Sequence, residues 1–137
     1  MNAAGAGSHP EAEHGSRRTA ARTDQGSRAA IAGFRPVQVS IAAPDGDTAR
    51  RLARLLVEER LAACVQVVDP IRSVYRWQGA VKEDAEVLLL AKSSQERVPR
   101  IDELLRREHP YELPELAAVP IVAGSPGYLE WLKQCLG

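Results

Sequence analysis

Ser73-Val74-Tyr75-Arg76-Trp77-Gln78-Gly79, answered after Ala80 by Val81 to Lys92 with Val87-Leu88-Leu89-Leu90-Ala91 inside it, is the stretch that decides the fold. Two runs rich in β-branched and aromatic residues flank a Gln-Gly pair, which is the pattern of a long β-hairpin. Tyr75 and Trp77 are two apart and therefore share a face of their strand. Val87 to Ala91 is apolar at consecutive positions, so that strand is apolar on both sides. A strand of this kind needs cover on two faces.

Outward from the hairpin the same logic places the other elements. Upstream, Ala62 to Val68 is apolar with one break at Gln66 and predicts a strand. Before it, Ala49, Leu52, Ala53 and Leu56 recur at helical spacing, with Arg50, Arg51, Arg54 and Glu58 opposite. Asp45 or Asp47 can cap that helix. Pro36 to Ala43 predicts the first strand, with Val37, Val39 and Ile41 on one face and Gln38 and Ser40 on the other. Downstream, Val98, Ile101, Leu104 and Leu105 predict a helix over about 95–108, with Ser93 and Glu96 at capping-box spacing; Pro99 leaves its start open, since proline belongs in a first turn. Leu116 to Ala123 predicts a strand in which Pro120 suits an edge. Ser125-Pro126 predicts the start of a short closing helix.

The order is β-α-β-β-α-β with a terminal helix. This α+β arrangement is ferredoxin-like: a four-stranded antiparallel sheet with both main helices on one face. Those helices leave the second face of Val87 to Ala91 bare. A partner chain is expected to cover it, which makes the protein an obligate oligomer.

The 137 residues suffice for one ordinary domain. Residues 1–33 are mostly Ala, Gly, Ser, Arg and Thr with one β-branched aliphatic, Ile31, and predict a disordered tail. Residues 34–137 form the expected domain. The net charge is zero, with +2 on residues 1–35 and −2 on the rest, and neither part carries the basic stripe that nucleic acid requires. Arg17-Arg18 is followed by no apolar segment, and no run approaches the length of a membrane span. Cys64 and Cys135 lie in apolar patterns and read as reduced, buried thiols.

The residues with chemistry gather in His109-Pro110-Tyr111-Glu112-Leu113-Pro114-Glu115. Each proline fixes its own φ and pushes the preceding residue toward extended geometry, so a helix must stop near His109 and a strand begins only after Pro114. Two roles fit His109. It can ligate a metal through neutral imidazole, with Glu115 as an oxygen donor. It can instead donate to a backbone carbonyl at the helix end. One domain histidine per chain cannot build a tight site for zinc or copper alone. Glu83 and Glu86 are three apart on a strand and face opposite ways, which argues against a catalytic carboxylate pair. Glu86 is expected to be partly buried and paired, with Lys92 or Arg76 as partner. Tyr75 and Trp77 read as packing at a subunit contact or as a ligand platform. His9 and His14, with Glu11 and Glu13, form a short patch in the tail that reads as solvated. No phosphate loop, HExxH, CxxC or GxSxG occurs, and no nucleophile–base pair can be named, so no catalytic residues are assigned.

The chain also resembles the CutA proteins, associated with divalent-cation tolerance. The resemblance rests on Ala43-Pro44-Asp45, Leu61-Ala62-Ala63-Cys64-Val65, Tyr75-Arg76-Trp77-Gln78-Gly79, Glu83 with Glu86, Lys92-Ser93, His109-Pro110-Tyr111, Pro114-Glu115-Leu116 and Tyr128-Leu129 with Trp131-Leu132. It covers about three-quarters of the chain, from Val37 onward. It implies a PII-like ferredoxin-fold homotrimer, cytoplasmic and non-enzymatic, acting in the response to metal ions. Copper or another divalent cation is the implied ligand, with no required cofactor. Some relatives carry a cysteine where this chain has Ile41, which weakens any copper site that needs that thiolate. Two other functions compete: a PII-like signalling module with a small molecule held between subunits, and a trimeric scaffold whose hairpin recruits other proteins. The domain lacks the glycine cluster that a nucleotide cradle needs.

Overall fold

The computed structural model describes residues 33–137. The tail expected over residues 1–33, with its His9 and His14 patch, lies outside the described residues except for Gly33. The elements follow in the order β1 (Pro36–Ala43), α1 (Gly46–Glu58), β2 (Cys64–Trp77), β3 (Ala80–Ser94), a 3-10 turn (Gln95–Arg97), α2 (Val98–Glu108), β4 (Ala117–Pro120) and α3 (Pro126–Leu136). The sheet order is β2-β3-β1-β4, and each neighbouring pair is antiparallel. This is the ferredoxin-like fold that the sequence order predicts.

Alternation along β1 and β3 places the core. Val37, Val39 and Ile41 are buried, and so are Val87, Leu89 and Ala91 in the paired strand. Ala49, Leu52 and Leu56 of α1 and Ile101, Leu104 and Leu105 of α2 pack on this face in one cluster. Both stripes are the ones that helical spacing predicts. Leu132 and Leu136 of α3 join Phe34 in a second, smaller cluster. Arg97 ties that helix down, donating to the carbonyls of Leu136 and Arg60 and to Ser94 Oγ.

Asp45 caps α1, its carboxylate accepting from the Thr48 backbone N–H at 2.8 Å. This bond holds the Asp45 carboxyl below its ordinary range. The other end of α1 closes with Arg60 at φ +57°. There the Leu61 N–H returns to the Leu56 carbonyl and the Arg60 N–H to that of Val57, the bond pattern of a Schellman motif. Leu56 and Leu61 are both buried and supply its apolar contact.

Four expectations need correction. Ala62–Val68 and Ser73–Trp77 are one strand, β2, because a bulge absorbs Asp69 and Pro70. The ladder passes from Val68–Leu88 to Ile71–Glu86, so both residues stand opposite Val87 and the proline needs no ladder bond. Ser93 forms no capping box; its buried hydroxyl donates to the Leu61 carbonyl at 2.6 Å, and the chain enters α2 through the 3-10 turn. The last strand ends at Pro120, not Ala123, because Pro120 pairs with Val37 near the first residue of β1 and little partner strand remains. Cys64 and Cys135 are free but half-buried.

Among the described residues, two features of the sheet are left only partly covered. Leu88 and Leu90 face away from the main core and are only half-buried; Val68, opposite Leu88, is 42% exposed. The hairpin also outruns the sheet. β1 meets β3 only over Val87–Ser94, so the seven pairs from Ile71–Glu86 to Trp77–Ala80 form a two-stranded ribbon. At about 3.3 Å per residue it projects roughly 20 Å. Gln78 and Gly79, both at positive φ, make its tip, as a two-residue hairpin turn demands.

Candidate functional site

The loop between α2 and β4 lies against the base of this ribbon. α2 stops at Glu108, and His109 turns extended, with φ −86° and ψ 138°, as Pro110 requires. Arg51 of α1 fixes the helix end, donating to Glu108 Oε1 at 2.9 Å and to the Glu108 carbonyl at 2.8 Å.

The buried His109 ring is committed on both nitrogens. Nε2 donates to the Ala42 carbonyl at 2.8 Å, and Nδ1 accepts from the Tyr111 backbone N–H at 3.0 Å. These partners set the tautomer with its hydrogen on Nε2. β4 pairs with β1 over Val37–Ser40 and stops short of Ala42, so the imidazole takes a carbonyl that the sheet leaves over. The carbonyl bond is the one that the structural reading of His109 expects.

The Tyr111 ring lies 4.8 Å from that of His109, and its hydroxyl donates to Glu86 Oε2 at 2.6 Å. Burial, and then this bond to a carboxylate, raise the Tyr111 phenol well above its usual range. Glu86 is buried, but Tyr111 is its partner in place of the expected Lys92 or Arg76; Lys92 turns to Gln66 instead. Beyond it on the ribbon, Tyr75 donates to Asp84, and this bond raises the Tyr75 phenol. Glu83, on the opposite ribbon face, pairs with Arg72 at 3.5 Å.

Loop and ribbon enclose an open cleft of about 870 Å³. Tyr75, Trp77 and Tyr111 supply its aromatic lining, and Glu86, Glu112 and Glu115 its carboxylates. Glu115 is exposed and has no hydrogen bond or ion pair to His109. Among the described residues, no group of three or more His, Cys, Asp or Glu side chains converges to hold a metal. The loop and the Tyr75–Trp77 pair, separate in the sequence reading, are thus two walls of one site. Its central contact, Tyr111 to Glu86, spans 25 residues and has no local signal. The Tyr75–Asp84 contact has one: the Gln78-Gly79 turn sets Tyr75 opposite Lys82, and Asp84 is the diagonal neighbour.

Comparison with known proteins agrees with this architecture. Residues 37–135 match the model of the CutA1 divalent ion tolerance protein family. The divalent-cation tolerance protein CutA of Thermus thermophilus is 48% identical over 99 residues, 72% of this chain and 96% of that protein. Mouse protein CutA is 43% identical over 74% of this chain, a match that spans 59% of the mouse protein. The solved structure of the Thermus thermophilus protein superposes with a TM-score of 0.72 at 46% identity, over 74% of this chain and 99% of the other. The family's name and that of the Thermus thermophilus protein state tolerance of divalent ions, and none of the names states a catalysed reaction. With residues 37–135 matched and the ferredoxin-like sheet in place, this chain belongs to the CutA1 divalent ion tolerance family.

Proposed function

We propose that this chain acts in the cytoplasmic response to divalent metal ions as a non-enzymatic homotrimer. The observation that carries the assembly is the half-covered second face of β3, continuous with a ribbon paired, among the described residues, only to itself. An isolated two-stranded hairpin is marginal in water. A ribbon of seven pairs with Val74 and Val81 each 65% exposed needs a neighbouring surface. Copies of the same chain, arranged around a closed axis, provide one while also covering Leu88 and Leu90.

The role in metal response rests on the family. Copper or another divalent cation remains the proposed ligand, with His109 and Glu115 as the residues to test. The geometry sets a condition on that assignment. A metal at His109 must displace either the Ala42 carbonyl or the Tyr111 N–H, and the remaining ligands must come from other chains. Native mass spectrometry of the full chain against a panel of divalent metals and nucleotides tests the proposal. Trimers that take up copper, and lose it on His109→Ala, support it. Trimers that take up a nucleotide and no metal support a signalling module instead.

A further inference from the structure

Glu86 is the residue whose chemistry the fold does not complete. The residue is 9% exposed, and among the described residues it forms no salt bridge and has one polar contact, the Tyr111 hydroxyl on Oε2. Among the same residues its other oxygen has no partner. A buried carboxylate with so little compensation calls for a positive group.

The cleft that Glu86 lines is short of the same thing. Glu112 and Glu115 add two more carboxylates, and among the described residues no lysine, arginine or histidine lines it. Tyr75, Trp77 and Tyr111 offer ring faces, which attract cations through their quadrupoles. Its volume of about 870 Å³ is that of a small-molecule site, far larger than a bare ion requires. The carboxylates do not converge as metal ligands do. The cation that fits has its charge on an apolar body.

We infer that the cleft between the 110–115 loop and the ribbon binds a small organic cation, an alkylammonium, with its charged head toward Glu86 and its body against Tyr75 and Trp77. This goes beyond a role in metal tolerance and does not depend on it. Tyr111 holds Glu86 in place from one side and leaves the second oxygen for the ligand.

Calorimetric titration of the full chain with choline, beside its neutral isostere 3,3-dimethylbutan-1-ol, tests the inference. Choline is expected to bind saturably and at least tenfold more tightly than the alcohol. Glu86→Gln keeps an acceptor for the Tyr111 hydroxyl, so its melting temperature should stay near wild type while choline affinity falls at least tenfold. Trp77→Leu, on the ribbon and outside the core, should weaken choline without abolishing folding. Equal affinity for choline and the alcohol overturns the inference, as does unchanged affinity in a folded Glu86→Gln protein. No saturable binding of choline also overturns it, and is the result expected if a lysine or arginine of a second copy fills the cleft.

Discussion

Replacing His109 with alanine tests whether the imidazole is the keystone of the loop. The side chain joins three segments: the end of α2, the Ala42 carbonyl in β1 and the Tyr111 N–H in the loop. Each hydrogen bond contributes about 1 kcal/mol net, and a buried carbonyl left without a partner costs a further ~1–3 kcal/mol. Ala42 is 4% exposed, so water reaches its carbonyl poorly. The Tyr111 N–H is only part-buried and recovers some solvation. The expected loss is therefore about 2–4 kcal/mol, or roughly 10–20 °C in melting temperature for a domain of this size. Arg51 still anchors Glu108, so the helix end and the fold should survive. Urea unfolding at one fixed chain concentration measures the loss, because association shifts apparent stability. His109→Asn keeps an acceptor near the position of Nδ1, and His109→Gln keeps a donor near that of Nε2. Each should recover part of the loss. A change under about 0.5 kcal/mol for His109→Ala would refute this account. Copper affinity lost with stability intact would instead make the ring a ligand.

Two further predictions rest on contacts away from the imidazole. All three tyrosines have raised phenols, Tyr111 most of all, with burial the largest cause at Tyr111 and Tyr128 and the Asp84 bond at Tyr75. Their folded-state values exceed the unfolded one, so the stability they contribute is full below about pH 10 and is lost as pH rises through the folded values. Absorbance at the tyrosinate band should stay low through that region and rise with alkaline unfolding; three ordinary titrations in the folded protein would contradict it. Arg97→Ala should free the end of α3, since that guanidinium joins Leu136, Arg60 and Ser94. Amide exchange should quicken in 126–136 and stay slow in β1 and β3; uniform change across the chain would show that α3 is not separately tied.

The parts of the fold legible in the sequence were those with a local period. Val37, Val39 and Ile41 alternate, and Ala49-Leu52-Leu56 and Ile101-Leu104-Leu105 recur at helical spacing, so strands, helices and core face all followed from pattern. The prolines in 109–115 fixed the loop boundaries in the same way, since each acts on its neighbour. What pattern could not supply was anything set by register or by distant partners. Asp69-Pro70 reads as a break, yet a bulge carries β2 through it, because the pairing of Val68 and Ile71 with β3 continues on both sides. Ser93 has capping spacing but meets a Leu61 carbonyl 32 residues away. The sequence predicts Glu86 as partly buried and paired with Lys92 or Arg76, but its partner comes from the loop after α2, which only the tertiary fold brings beside the ribbon.

The central claim is that the half-covered second face of β3 and the projecting ribbon are covered by copies of this chain. Light scattering on a sizing column, run on the full chain at micromolar concentration, tests it directly. The account predicts a mass near three times the 14.9 kDa of one chain. It also predicts that Leu90→Asp, half-buried on the second face, lowers that mass. A wild-type mass of one chain would contradict the account, for Leu88, Leu90 and the seven-pair ribbon would then have no second chain to cover them.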